Sequence, residues 1–176
     1  MPNPFTFRLH IGGREARAGW QIFDIRPGEG IDHVGDIQDL SRFRDACCDE
    51  IYASHVLEHV PQARIVPTLQ GLNRILKPGG RLCVSVPDLR VLCRLFVDPG
   101  LDAKARGHVM RMIYGGQVDQ HDFHYVGFSL EILLDCLRAA GFSRAERVSE
   151  FRLFEDASSY APYQGVPISL NVVAFK

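Results

Sequence analysis

Between Asp49 and Pro87 the chain runs DEIYASHVLEHV, then about one helix, then LNRILKPGGRLCVSVP, with Asp88 next. Two apolar strand candidates, each ending in polar residues, flank a stretch of helical periodicity that stops at Lys77-Pro78-Gly79-Gly80. This is the pattern of an α/β layered protein, and it constrains the fold more than any other part of the sequence. In open α/β sheets ligands sit beyond the carboxyl ends of the strands. Ser54, His55, Pro87 and Asp88 are therefore candidate site residues on position alone.

At 176 residues the chain suits one domain over 1–176, built on a single extended core. A hydrophobic content of 46%, 23% charged residues and a formal charge of -1 describe a globular protein and give no electrostatic case for nucleic acid. The opening MPNPFTFRLHIGG lacks an apolar segment after a basic one, and no apolar run is long enough to span a bilayer, so a cytoplasmic location is expected. Cys47, Cys48, Cys83, Cys93 and Cys136 form no CxxC pair and have no His at zinc-ligand spacing. Reduced, mostly buried thiols are expected.

The periodicities divide the chain further. Residues 5–11 (FTFRLHI) alternate as a strand with Phe5, Phe7, Leu9 and Ile11 on one face, and Gln21 to Ile25 form a second strand closing on Asp24. So few residues lie between these strands that their connection must be short or irregular. A weaker third strand is expected over Ile31 to Ile37, then a helix start at Asp39-Leu40-Ser41 leading to Arg44, and a fourth strand over Asp49 to Ser54. Helices are predicted from Pro61 or Gln62 to Leu76, over Leu89 to Phe96, over Ala103 to Tyr114, and over Ser129 to Ala140 with Ser129 as N-cap and Gly141 as stop. Arg81 to Val86 reads as a buried strand. Residues 117–127 (QVDQHDFHYVG) have no period and read as a loop over a site. Two late strands, Arg144 to Phe151 and Ser169 to Phe175, are expected to pair antiparallel at the sheet edge.

This order resembles the class I S-adenosylmethionine-dependent methyltransferase fold: Rossmann-like α/β, a mostly parallel sheet with an antiparallel C-terminal edge, flanked by helices. DEIYASHVLEHV and LNRILKPGGRLCVSVPD are similar to the motifs after strand four and before strand five of the small bacterial methyltransferase type 11 group. GWQIFDI and HDFHYVGFSLEILLDCLRAAGF add to the resemblance, which covers roughly residues 5–176. It implies S-adenosyl-L-methionine as cofactor and a small molecule or glycan as acceptor, a sugar hydroxyl being the acceptor it suggests. Asp24, with Ile25 beside it, matches the acid that accepts from the ribose hydroxyls, a task suited to a forked carboxylate. Asp36 and Ile37 match the residues that hold adenine, and Ser54 and His55 match the approach to the methionine part. Of the glycine-rich first loop, GGREARAG keeps Gly12 and Gly13.

Each of these residues also has a plainer reading. Asp24 and Asp36 could be strand-end turn formers. His55 and His59 lie four apart, but the order HVLEH is not HExxH and no third ligand is apparent, so no metal is assigned. His59 is expected to order the loop through its ring nitrogens, and Glu58 to face solvent or cap the following helix. His121, Asp122 and His124 could be a solvated loop; the sharper expectation is that His124, oriented by Asp122, takes the proton of an acceptor hydroxyl. Phe123, Tyr125 and Phe128 could line an acceptor pocket or plug the core. Cys47 and Cys48 read as packing rather than as nucleophiles.

Three functions remain in view. The first is methyl transfer from S-adenosylmethionine. A catalytically silent module working through a protein partner is a second, favoured by the altered first loop and the short chain. A dinucleotide-dependent oxidoreductase lacks its GxGxxG fingerprint. Oligomeric state is open, and a homodimer could complete an uncovered site.

Overall fold

The computed structural model describes residues 6–163 and 165–176. Seven strands, β1 (Arg8–Ile11), β2 (Trp20–Asp24), β3 (His33–Val34), β4 (Cys48–Ser54), β5 (Leu76–Pro87), β6 (Arg144–Val148) and β7 (Ser169–Phe175), make one sheet in the order β3-β2-β1-β4-β5-β7-β6. Strands β1 to β5 pair in parallel, and β7 enters between β5 and β6 antiparallel to both. Four helices accompany them: α1 (Ile65–Ile75), α2 (Leu89–Val97), α3 (Ala103–Tyr114) and α4 (Leu130–Ala139). None of the described helices is long and apolar enough to cross a membrane.

The period-two alternation of the strands sorts the core onto two faces. Leu9 and Ile11, Ile51 and Ala53, Leu82 and Val84, and Leu170 and Val172 pack with Leu69, Leu72 and Ile75 of α1 and Leu133 and Leu137 of α4. Burying each such Leu or Ile contributes about 2 kcal/mol. Between them stand His10, Tyr52, Cys83 and Val173, all buried, whose face is covered by the irregular chain after β6 rather than by a helix. Phe154 closes this side, its ring centroid 3.9 Å from that of His10 and 5.0 Å from that of Tyr52. The Tyr52 hydroxyl donates to Asp156 at 2.8 Å and fixes the cover in place. Strands covered on both faces have no solvent side, which is why they read as almost unbroken apolar runs.

Several expected elements change extent. The first strand begins at Arg8, and Phe5 lies outside the described residues. The third shrinks from residues 31–37 to two residues, because side chains replace the ladder: Asp32 accepts from the Ile22 amide at 2.8 Å and Asp36 from the Gln38 amide at 2.9 Å. No helix starts at Asp39. That stretch is two isolated turns, with the Asp39 carboxylate on the Ser41 amide at 3.0 Å. Arg74 takes the carbonyls of Leu40 and Phe43 at 2.8 and 3.0 Å, so the acceptors a helix would use are occupied. The predicted helix from Gln62 divides into a 3-10 turn over Gln62–Arg64 and α1. Strand β6 stops at Val148 rather than Phe151, where the chain leaves to cover the sheet. Helix α4 is capped by Ser129, whose hydroxyl accepts from the Ile132 amide at 3.4 Å, as its sequence signals.

Candidate functional site

Beyond the carboxyl ends of β1 to β4, where the strand order reverses, lies a cavity of about 370 Å³. Gly12, Asp24, Ile25, Asp36, Ile37 and His55 all line it. Gly13 and Ser54 are not on its wall: the Cβ that Gly13 lacks would run into the His10 ring, and the Ser54 hydroxyl is buried beside β5 without a hydrogen-bond partner among the described residues. At Gly12 the backbone has φ +72°, and a Cβ would lie 2.5 Å from Val56 Cγ2, so only glycine fits this turn. The GGREARAG connection is compact and contains no helix.

Asp24 is buried at 7% exposure, and its Oδ1 accepts from the Arg26 amide at 2.7 Å. Arg14 reaches the same oxygen at 3.5 Å, and among the described residues no donor reaches Oδ2. A carboxylate at a strand end with one oxygen left open suits a pair of hydroxyl donors. Asp36 forms its own turn with Gln38, while Ile37 supplies a buried apolar wall. Arg14 was not singled out by its sequence, and its place on the cavity wall follows from the tightness of the first loop.

A second cavity of about 820 Å³ meets the first at His55, which lines both. Pro87, His108, Arg111, Asp122, His124 and Tyr160 are on its wall. The loop over residues 117–127 borders the two: Gln120, His121 and Tyr125 face the first cavity, and Asp122 and His124 the second. Arg26 clamps this loop through Asp119 at 2.7 and 2.9 Å. Asp122 and His124 share a wall but no hydrogen bond. The Asp122 carboxylate takes the Val118 amide at 3.3 Å, and His124 Nδ1 faces the Met112 carbonyl at 3.1 Å. Phe128 is a core residue, whereas Phe123 and Tyr125 are exposed, Tyr125 above the first cavity. Asp88 is not a site residue: it caps α2, accepting from the Arg90 and Val91 amides at 3.1 and 3.3 Å.

His55 occupies a left-handed conformation, φ +53°, which a residue with a Cβ adopts at a cost. This turn sends the next residues inward, and Glu58, expected at the surface, is fully buried. Burial would raise its carboxyl, but His55, then His59 and His124, outweigh burial and hold it below the ordinary range. His124 is shifted down by burial first, with His59 and His55 adding to the effect against the Glu58 charge. His59 Nδ1 meets the Phe123 carbonyl at 3.1 Å, the loop-ordering contact its sequence suggests. The third ligand atom that HVLEH lacks comes from the loop, since Glu58, His59 and His124 bring ligand atoms within 4.8 Å of one another.

The cysteines take no part in either cavity. Cys48 and Cys83 are buried, Cys47 and Cys136 half-buried, and Cys93 exposed, so fewer are buried than expected. Burial pushes the Cys48 thiol far up and Cys83 up to about 12, which leaves both without thiolate character.

Residues 21–84 match the family model described as a methyltransferase domain, a span running from β2 to the middle of β5. Among solved structures, an S-adenosylmethionine-dependent methyltransferase from Archaeoglobus fulgidus superposes with a TM-score of 0.60 at 16% identity, over 98% of this chain and 87% of its own. The superposition shows the fold of class I S-adenosylmethionine-dependent methyltransferases. A possible histamine N-methyltransferase from Thermotoga maritima matches at TM-score 0.57 and 19% identity, over 99% of this chain and 84% of its own. The 1,6-didemethyltoxoflavin-N1-methyltransferase of Burkholderia thailandensis, solved with its acceptor and S-adenosylhomocysteine, matches at TM-score 0.58 and 18% identity, over 97% of this chain and 70% of its own. Other neighbours are longer, and this chain spans 53% and 49% of two of them. No curated protein sequence matches it. The residues of the first cavity fit S-adenosylmethionine, the cofactor that the resemblance implies: a buried carboxylate with an open oxygen, an apolar wall and a side-chain-free turn.

Proposed function

We propose that S-adenosylmethionine occupies the 370 Å³ cavity and that its methyl group passes to a hydroxyl of a small molecule or glycan in the adjoining cavity, one domain supplying both sites. The observation that carries this reading is the meeting of the two cavities at His55. Asp24 would take the ribose hydroxyls, Asp36 and Ile37 the adenine, and Gly12 the closely approaching cofactor backbone. Gly13 and Ser54 would act only through the shape of the turns that carry them.

Methyl transfer from a sulfonium is an in-line displacement in which the leaving sulfur becomes neutral. The protein has to hold donor carbon and acceptor oxygen in line and keep water out, effects worth several kcal/mol. The acceptor's proton must leave, and His124 is the imidazole on the acceptor side of the junction. Asp122 shapes the loop around it rather than pairing with its ring. Lys104, His108, Arg111 and Tyr160 give the second cavity several hydrogen-bonding groups, which suits a polar, hydroxyl-rich acceptor. The solved Burkholderia neighbour is named for methylating nitrogen, so acceptor type is the point most in need of experiment. Five free cysteines suit a reducing, cytoplasmic setting.

Calorimetric titration with S-adenosylmethionine and S-adenosylhomocysteine tests the reading first, and saturable binding is expected. No heat at millimolar ligand would sink it. Binding without turnover on any hydroxylated acceptor would instead favour a silent module of the same fold.

A further inference from the structure

Where the cavities meet, the side chains of His55, Glu58, His59 and His124 converge. Glu58 is fully buried, and among the described residues neither of its carboxylate oxygens accepts a hydrogen bond. His55 Nδ1 stands 3.3 Å from Glu58 Oε1. Glu58, His59 and His124 hold ligand atoms within 4.8 Å of one another.

The outer contacts decide which ring nitrogens carry protons. His59 Nδ1 meets the Phe123 carbonyl at 3.1 Å, and His124 Nδ1 meets the Met112 carbonyl at 3.1 Å. A carbonyl only accepts, so Nδ1 is the donor in both rings, and Nε2 is the nitrogen left to serve as a ligand. His55 Nε2 lies 2.9 Å from Ser169 Oγ, and that hydroxyl donates to the Ala157 carbonyl at 2.7 Å. Ser169 has therefore used its proton, and His55 Nε2 must be the donor. His55 Nδ1, the other ring nitrogen, faces a Glu58 carboxylate oxygen. A fully buried carboxylate with no hydrogen-bond donor among the described residues, flanked by imidazole nitrogens, has acceptor capacity that a cation would satisfy.

We propose that Glu58, His59 and His124, with His55 Nδ1 as a fourth donor, form a binding site for a divalent first-row transition metal at the junction of the two cavities. Nitrogen-rich donors with one carboxylate suit Zn²⁺ or Co²⁺ rather than Mg²⁺, which prefers oxygen. Two ligands on a tetrahedral ion with bonds of roughly 2.0–2.1 Å stand about 3.3 Å apart, the separation of His55 Nδ1 and Glu58 Oε1, and the Glu58, His59 and His124 atoms, within 4.8 Å of one another, would draw together around it. Each histidine donates its other ring proton to an oxygen, the outer arrangement that fixes metal-binding rings. His59 is contributed on the cofactor side and His124 on the acceptor side.

The role of such an ion rests on the methyl-transfer reading. An acceptor hydroxyl bound to the metal loses its proton to solvent through the open acceptor cavity. The oxygen attacks the methyl carbon, the carbon–sulfur bond breaks, and its electron pair stays on sulfur as neutral S-adenosylhomocysteine. His124 then serves as a ligand and not as the base.

The chelator-treated protein is titrated with Co²⁺ alone and then with Zn²⁺, without cofactor, followed by visible absorption and calorimetry. One equivalent of Co²⁺ should bind with a visible d–d spectrum, and Zn²⁺ should displace it. Glu58→Gln, His59→Ala and His124→Ala should each weaken binding at least tenfold, whereas His33→Ala on β3 should leave it unchanged. Melting curves accompany every variant; if the buried Glu58→Gln does not fold, the two histidine variants carry the test. Failure to bind one equivalent, or binding that none of the three variants weakens, overturns the proposal. S-adenosylhomocysteine is titrated separately: metal binding without it would remove the methyl-transfer role and leave the site standing, and the converse would remove the site alone.

Discussion

Replacing Asp24 tests the cofactor pocket at its most specific point. Its Oδ1 holds the Arg26 amide at 2.7 Å, and its Oδ2 is the open acceptor proposed for the ribose. Hydrogen bonds to a charged group are worth about 1.5–3 kcal/mol, so Asp24→Ala should raise the Kd for S-adenosylhomocysteine about 10- to 150-fold at 1.4 kcal/mol per tenfold. Asp24→Asn keeps the shape and a carbonyl for the Arg26 amide but loses the charge and one acceptor, and should fall between wild type and Ala. Arg14→Ala serves as the comparison. Its contact to Asp24 is long, 3.5 Å, from a side chain 56% exposed, so losing it should cost less than threefold. Calorimetry gives the constants, and melting curves confirm that each variant folds. A folded Asp24→Ala that binds within twofold of wild type refutes the ribose assignment.

Gly12→Ala places a Cβ 2.5 Å from Val56 Cγ2 at φ +72°; the left-handed backbone alone costs about 1–2 kcal/mol, so the melting temperature should fall by several degrees, and unchanged melting would show that the turn is not held as described. Combining it with Val56→Ala should recover the steric part only, as a double-mutant cycle on denaturation would show. Burial lowers the pKa of His10 to about 4 from 6.5, so between these values the unfolded chain takes up a proton that the folded chain refuses. Stability should therefore be full above pH 6.5 and fall by up to about 3 kcal/mol as pH drops to 4, and His10→Phe should flatten that slope in urea denaturation; an equally steep slope in the variant would contradict the assignment. Arg26→Ala breaks a pair in which both side chains are more than 40% exposed, so global stability should change by less than about 1 kcal/mol while amides 117–123 exchange faster. Unaltered exchange there would mean that the clamp does not hold the loop.

The fold was legible in the sequence because its signals are local. Apolar runs buried on both faces marked β4 and β5, and helical spacing with Ser129 and Gly141 marked α4. The third strand and the helix expected at Asp39 were misread for one physical reason. Around Asp32, Asp36 and Asp39, side chains compete with the backbone for hydrogen bonds, and Arg74, more than thirty residues away, takes the Leu40 carbonyl. No window of local periodicity contains that arginine. The residues lining the first cavity were legible for a related reason: Gly12, Asp24 and Asp36 sit at or just beyond strand ends, and the topology of a parallel sheet brings strand ends together.

The junction of the two cavities was hidden because its chemistry depends on a turn and a loop distant in sequence. His55 at φ +53° breaks any helical register through HVLEH, so spacing alone put Glu58 at the surface, and the opposite is found. What holds Glu58 inside is the loop, whose Tyr125 amide donates to the Glu58 carbonyl at 2.8 Å and whose Phe123 carbonyl engages His59. The same loop brings in His124, more than sixty residues from Glu58, to complete the cluster. A left-handed non-glycine residue and a buried carboxylate without a hydrogen-bond donor both cost stability, and neither is needed to close the sheet. Two such costs on adjacent turns, at the one place where both cavities meet, are what a binding centre requires of its scaffold and what packing alone would remove.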